Sequence, residues 1–291
     1  MGKVLVHIGY PKCMSTSLQM SFFNHHEGIN FSGVGINDPI SYKNKEIEYI
    51  FEILLKYSRR SHFEDKKLWA QEVIKEFIDN DKLNVFSSEY LAMSITPQEI
   101  DPDDKIDRVC EIFSGLSPEV LVITREKEYL IRSFYGELVK LGYCESYNEY
   151  ASWIENFSDR NFIKDLDFDW KIEHLEKRFS KVHTLDFDDI KSDHKKIHDF
   201  FKKNYNLEEN HYIEIKNENP SFSSLQIEEI RLENEKKRRG IGRGILYPFE
   251  IHRNRSLNTI DGKRLSEKEL FKDVIMKRKS LSKHLPMKHE T

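Results

Sequence analysis

Cysteine is scarce in this chain: Cys13, Cys110 and Cys144 are the only three in 291 residues, odd in number and scattered. That excludes a disulfide framework and suits a reducing compartment. No apolar run is long enough to span a bilayer. The N-terminus runs straight into a core-type strand, without the charged, apolar and small-residue succession of a signal peptide. A cytoplasmic protein with no membrane partner is therefore expected. The net charge of −4 argues against nucleic acid as a partner. No internal repeat is evident, and no His/Cys cluster with metal-ligand spacing occurs, so Asp186 and Asp188 have no companions with which to hold a metal. What remains is a globular composition, 38% apolar and 33% charged, in a chain long enough for a substantial core.

The richest signal is the run Val4-Leu5-Val6-His7-Ile8-Gly9-Tyr10-Pro11-Lys12-Cys13-Met14-Ser15-Thr16-Ser17. A β-branched apolar stretch ends in a glycine and a Pro-Lys corner. Three hydroxyl residues then open an amphipathic segment with Leu18, Phe22 and Phe23 as its apolar face. This pattern predicts a strand, a tight loop and a helix N-terminus. Unpaired N–H groups and the positive end of the dipole lie at such a terminus, and Lys12 with three hydroxyls would complete an anion cradle. The ATP-binding pattern G-x-x-x-x-G-K-[ST] requires a glycine just before the lysine. Here Pro11 precedes Lys12, and no Gly-Lys-Ser/Thr follows.

A second element lies far along the chain. Val120 to Thr124 reads as a buried strand, Arg125 follows it, and the helical stretch from Glu126 to Leu141 places Ser133 about two turns beyond Arg125. Arginine suits a phosphate because its planar fork binds two oxygens and keeps its charge.

Together these two elements resemble the sulfotransferases that use 3′-phosphoadenosine 5′-phosphosulfate (PAPS). In that family a strand leads into Pro-Lys-x-Gly-[Ser/Thr]-[Ser/Thr], matched here at Pro11, Lys12, Ser15 and Thr16, with Ser17 a further hydroxyl. Met14 stands where the family usually has glycine, and its Cβ would crowd the backbone if the loop needs positive φ. The resemblance implies that Lys12 contacts the bridging and sulfuryl oxygens. Cys13, Met14, Ser15, Thr16 and Ser17 would line the 5′-phosphosulfate site, Cys13 through its backbone N–H alone. Arg125 and Ser133 would hold the 3′-phosphate. It also implies a P-loop NTPase-like sulfotransferase fold, PAPS as co-substrate and no metal.

The rest of the chain alternates between helical and strand patterns. Helices are expected near 43–57, 64–79, up to Phe113, 147–155, 170–179 and 223–238. Further strands are expected at Asn84–Ser88 and Lys181–Leu185, the latter with an acidic exit, Asp186 to Asp189. This is α/β, with a central parallel sheet between helices. A single domain over 1–291 is expected, charged and helical from about 220, with a basic surface helix over 272–289.

Glu89 directly follows the 84–88 strand, where open α/β sheets place ligands. It is the candidate general base, as a carboxylate near this point is in the glycan and tyrosine branches of the family. The other reading of Glu89 is a carboxylate stabilised by a helix dipole. His7 and His183 sit within strands and read as packed or edge residues. Cys13, beside a lysine at a helix N-terminus, is a candidate for a lowered thiol pKa and ready oxidation. Arg239-Gly240 has two readings: the family's Arg-Lys-Gly loop that closes over the 3′-phosphate, or a glycine-capped helix end with cations on its dipole. The loop around Gly33 and Gly35 is expected to shape the acceptor pocket.

The function implied is transfer of a sulfuryl group to a hydroxyl or amine of a small-molecule or carbohydrate acceptor. Two alternatives stay open: an ATP-Mg kinase with an atypical phosphate loop, and a non-catalytic nucleotide-binding protein of the same fold. Oligomeric state is left open.

Overall fold

The structure is a computed structural model that describes residues 2–33, 42–89, 91–94, 99–140, 142–156, 165–208, 213–215 and 222–239. Five strands, β1 (Val4–Gly9), β2 (Ile29–Phe31), β3 (Leu83–Glu89), β4 (Glu119–Thr124) and β5 (Val182–Asp186), form one parallel sheet in the order β2-β3-β1-β4-β5. The helices are α1 (Ser15–Ser17), α2 (Lys45–Tyr49), α3 (Arg60–Phe77), α4 (Pro102–Ile112), α5 (Lys127–Lys140), α6 (Tyr147–Asn156), α7 (Phe168–Glu176), α8 (Phe187–Ser192), α9 (Lys195–Tyr205) and α10 (Ser224–Arg239). Both α1 and α2 run on into π-helical turns, Leu18–Phe23 and Ile50–Leu54.

The sheet explains its own sequence. All six residues of the central strand β1 are buried. Successive strand residues face opposite sides, so both faces of the sheet are covered at its centre and the position takes a run that is apolar but for His7. β5, at one edge, keeps Thr184 and Asp186 exposed. β2, at the other edge, is a three-residue strand that sequence periodicity does not single out.

Register brings the strand ends that matter to one side. Gly9 at the end of β1 is opposite Glu89 at the end of β3, and Thr124 at the end of β4 is opposite Asp186 at the end of β5. Lys12, Glu89 and Arg125 therefore all leave from the carboxyl edge of the sheet, where the chain passes from β1 toward β3 on one side and β4 on the other. Open α/β sheets place their ligand crevice at that kind of switch.

Caps fix where the helices begin. Asp101 accepts a hydrogen bond from the Asp103 N–H with Pro102 at the first helical position, and Asp167 accepts one from the Trp170 N–H. Asp186 accepts from the N–H groups of Asp188 and Asp189, so the acidic exit of β5 is the capped first turn of α8. Among the described residues no group of His, Cys, Asp or Glu is placed to hold a metal ion.

α10 packs on α5. Ile227 reaches to 3.1 Å from where a Cβ on Gly136 would stand. The Asn234 side chain donates to the carbonyls of Val139 (2.7 Å), which also accepts from the Gly142 N–H, and of Tyr143 (3.1 Å), tying α10 to the end of α5 and the turn after it. Glu228, Glu229 and Glu233 of α10 face solvent, while Ile227 and Ile230 lie against the core.

Candidate functional site

The loop after β1 is tight and strained. The Tyr10 carbonyl accepts from both the Cys13 N–H and the Ser15 hydroxyl, each at 3.3 Å, and the Met14 carbonyl accepts from the Leu18 N–H at 3.0 Å. Lys12 has φ +68° and Met14 φ +60°, the left-handed region that costs an L-residue about 1–2 kcal/mol. So the position where the resembled family has glycine does require positive φ, and this chain sustains it with methionine. Met14 packs against the core, which offsets part of that cost. Backbone strain held in place by its surroundings concentrates at ligand-binding segments.

The hydroxyl run divides by depth: Ser15 and Ser17 are buried, and Thr16 is half-buried. Cys13 is fully buried, and burial pushes its thiol up to about 12 despite the nearby Arg125 guanidinium. The expectation of a low-pKa, readily oxidised Cys13 is therefore corrected. Desolvation outweighs the cation because the side chain turns into the core, away from the cradle.

Arg125 meets this loop directly. Its Nη1 donates to the Lys12 carbonyl at 2.8 Å, and its guanidinium lies 4.1 Å from the centroid of the Phe187 ring. Its Nε is buried and has no partner among the described residues. A buried guanidinium donor without an acceptor is uncommon in a folded chain. Arg125 also borders a cavity of about 390 Å³ lined by Glu126, Lys127, Leu166, Asp167, Phe168 and Asp169. Phe168 packs edge-on to Tyr10, whose hydroxyl donates to the Asp165 carbonyl at 3.0 Å. The β1 loop and the wall of the cavity are thereby tied together.

Glu89, half-buried, closes β3 opposite Gly9. A Cβ on Gly9 would stand 2.8 Å from Ser15 Oγ and 3.4 Å from Glu89 Cγ. Gly9 is what allows the carboxylate-bearing strand end and the hydroxyl loop to approach one another. Beyond Glu89 the chain is pinned: the Ser94 N–H donates to Asp165 Oδ2 at 3.1 Å, and the buried Lys105 donates to the Met93 carbonyl at 2.9 Å.

One residue was not anticipated from sequence. Glu137 on α5 accepts from Lys12 Nζ at 2.7 Å and from Lys140 Nζ at 2.8 Å. Burial raises its pKa, but the two ammonium groups outweigh burial and hold the carboxyl down at about 2. The available signal was its position one turn after Ser133, on the same stretch of helix surface.

Ser133 itself is half-buried on α5. Arg239 is the last residue of α10, and Gly240 lies outside the described residues, as do Gly35 and the 272–289 segment. Gly33 is described, with φ +96°. The two strand histidines are packed. His7 shares a 2.7 Å hydrogen bond with Ser87 Oγ. His183 Nε2 pairs with Glu119 Oε2 at 2.7 Å, near the amino edge of the sheet and away from the cradle. Glu119, pushed upward by burial, is held below the usual carboxylate range by hydrogen bonds from His183 and Tyr205.

The fold is similar to that of a sulfotransferase from Alicyclobacillus acidocaldarius, with a TM-score of 0.51 over 84% of this chain and 97% of that one, at 12% sequence identity. At that identity the likeness is one of fold. No family model and no curated protein matches the chain.

Proposed function

We propose that this protein is a PAPS-dependent sulfotransferase acting on a hydroxyl, or an amine, of a small-molecule or glycan acceptor. The observation that carries the reading is the meeting of Lys12, Arg125 and Glu89 at the carboxyl edge of the sheet. Arg125 is bonded to the backbone of Lys12, and Glu89 lies across from Gly9. The similarity of fold to a protein described as a sulfotransferase supports it.

In this reading PAPS is the donor substrate, held at its phosphosulfate end by the loop from Lys12 to Ser17 and at its 3′-phosphate by Arg125 and Ser133. Sulfuryl transfer resembles phosphoryl transfer, with in-line displacement and a loose transition state, so the protein contributes mainly position and charge. Lys12 neutralises charge that develops on the leaving phosphate. Backbone N–H groups and the hydroxyls of Ser15 and Thr16 orient the group that moves. Glu89 accepts the proton of the attacking hydroxyl, a role worth about 10²–10⁴-fold in rate. No step requires a metal.

A thermal-shift comparison tests the reading. Adenosine 3′,5′-bisphosphate at about 100 times its Kd should stabilise the protein by about 2.7 kcal/mol, a rise of several degrees, and the shift should disappear in Arg125→Ala. Stabilisation by ATP with magnesium instead would favour the kinase alternative and overturn the proposal.

A further inference from the structure

Glu137 has no role in the chemistry just described, yet it makes the shortest contact to the lysine on which that chemistry depends. Its carboxylate lies 2.7 Å from Lys12 Nζ, with the two side chains 20% and 22% exposed. The same lysine is held at its backbone by Arg125 Nη1. Both segments come from one unit: Arg125 follows β4 directly, and Glu137 lies on the helix that comes next. Lys12 is thus gripped at carbonyl and ammonium by β4–α5, in a left-handed conformation that needs support. The two cations of the cradle are engaged by acceptors of the chain itself, one a carboxylate and one a carbonyl.

A carboxylate on this lysine offers it what a substrate anion would offer: negative oxygens at hydrogen-bond distance in a partly desolvated place. Ammonium has three donors and can keep one partner while gaining another, but a fixed negative charge beside an arriving anion repels it. The pair cannot be neutral toward anion binding.

We propose that Glu137 is a built-in counter-anion of Lys12, holding the lysine in place in the nucleotide-free protein and yielding it when the anionic end of the donor enters. Glu137 thereby sets the affinity of the site for anions. It is an affinity-determining residue that acts through Lys12. This rests on the proposed function for the identity of the donor, and on the geometry alone for the competition.

Glu137→Gln keeps the size of the side chain and an oxygen that can accept from Lys12, and removes the charge. Calorimetric titration with adenosine 3′,5′-bisphosphate and, separately, with pyrophosphate should show binding roughly tenfold tighter than wild type. In a Lys12→Ala background the same substitution should give a clearly smaller gain, because only the direct repulsion by the carboxylate is then relieved and the competition for the ammonium is gone. Glu137→Ala serves as a second variant should the glutamine fold poorly, with the same direction expected. Lys12 should also acylate faster in nucleotide-free Glu137→Gln than in wild type, read by peptide mass spectrometry.

If both variants bind the bisphosphate no tighter than wild type, Glu137 is a structural staple and the proposal falls while the donor reading stands. If pyrophosphate binds more tightly to Glu137→Gln but the bisphosphate binds to nothing, the competition stands and the donor reading falls. An equal gain in the Lys12→Ala background would overturn the competition, since a general charge effect would then suffice. Absence of binding by either probe to either protein overturns both.

Discussion

Acid should weaken this protein through the centre of its sheet, and His7 is where the effect is best worked through. His7 lies in β1 between Ser87 of β3 and Leu121 of β4, fully buried, with Nδ1 2.7 Å from Ser87 Oγ. The same hydroxyl accepts from Gln19 Nε2 at 2.8 Å, while His7 Nε2 has no partner among the described residues. A neutral imidazole needs only one N–H donor. The imidazolium has two, and whichever nitrogen faces Ser87, the other would be a charged donor in an apolar core. Desolvation accordingly lowers the pKa of His7 from 6.5 to about 4.

With a folded value below the unfolded one, the unfolded chain binds more protons throughout that window. The contribution is complete above about pH 6.5 and is lost as pH falls toward 4. By about pH 4.5 the loss amounts to roughly 2.5 kcal/mol, a sizeable part of the 5–15 kcal/mol typical of a domain. Urea unfolding of wild type and His7→Gln across this range supplies the test. Carboxylates such as Glu137 titrate in both proteins, so the difference between the two stabilities isolates the histidine. That difference should shift by about 2.5 kcal/mol in favour of the variant between about pH 7.5 and pH 4.5. A difference constant over the range would refute the account of this side chain.

Other substitutions probe the cradle. Gly9→Ala puts a Cβ 2.8 Å from Ser15 Oγ and 3.5 Å from the Glu89 backbone, and should cost about 1–3 kcal/mol along with nucleotide binding. A variant with wild-type Tm would show that the approach of the two segments is looser than described. Glu89→Gln should lower turnover by about 10²–10⁴-fold with bisphosphate affinity kept, and unchanged turnover would remove it as the base. Cys13, buried and with its thiol raised to about 12, should stay unlabelled by a thiol reagent until the protein unfolds. Native-state labelling of Cys13 at the rate of the unfolded chain would contradict its placement.

Much of the sheet was legible because a strand buried on both faces writes itself as a continuous apolar run. Val120–Ile123 of β4 has that form outright and Val4–Ile8 of β1 has it but for His7, while β3 offers only Val85 and Phe86 between polar residues. The edge strand Ile29–Phe31 was not legible, since three residues carry too little pattern to stand out. Helix α9 does not stand out in the sequence although Ile197, Phe201 and Tyr205 recur at every fourth position on its buried side, because pairs of lysines flank that short stripe. At the site, the tight loop after β1 and the arginine after β4 each followed from local signals. That Arg125 bonds the Lys12 carbonyl did not, since it depends on how two loops 113 residues apart are placed by a shared strand pair. Glu137 was hidden for the same reason: in sequence it is one more charged residue on a helix, and only the packing of α5 against the loop gives it a partner. Met14 shows the reverse case. Its sequence position asked whether positive φ was needed there, and only the backbone could answer.

The measurement that bears most directly on the central claim is transfer itself. PAPS carrying a labelled sulfuryl group would be incubated with a panel of phenols, saccharides and amines, and both labelled product and released adenosine 3′,5′-bisphosphate followed for wild type, Lys12→Ala and Glu89→Gln. The account predicts transfer to at least one acceptor by wild type, with product and bisphosphate formed in equal amounts and both variants strongly impaired. Bisphosphate formation by wild type no faster than by Lys12→Ala, across a panel of all three acceptor classes, would contradict it.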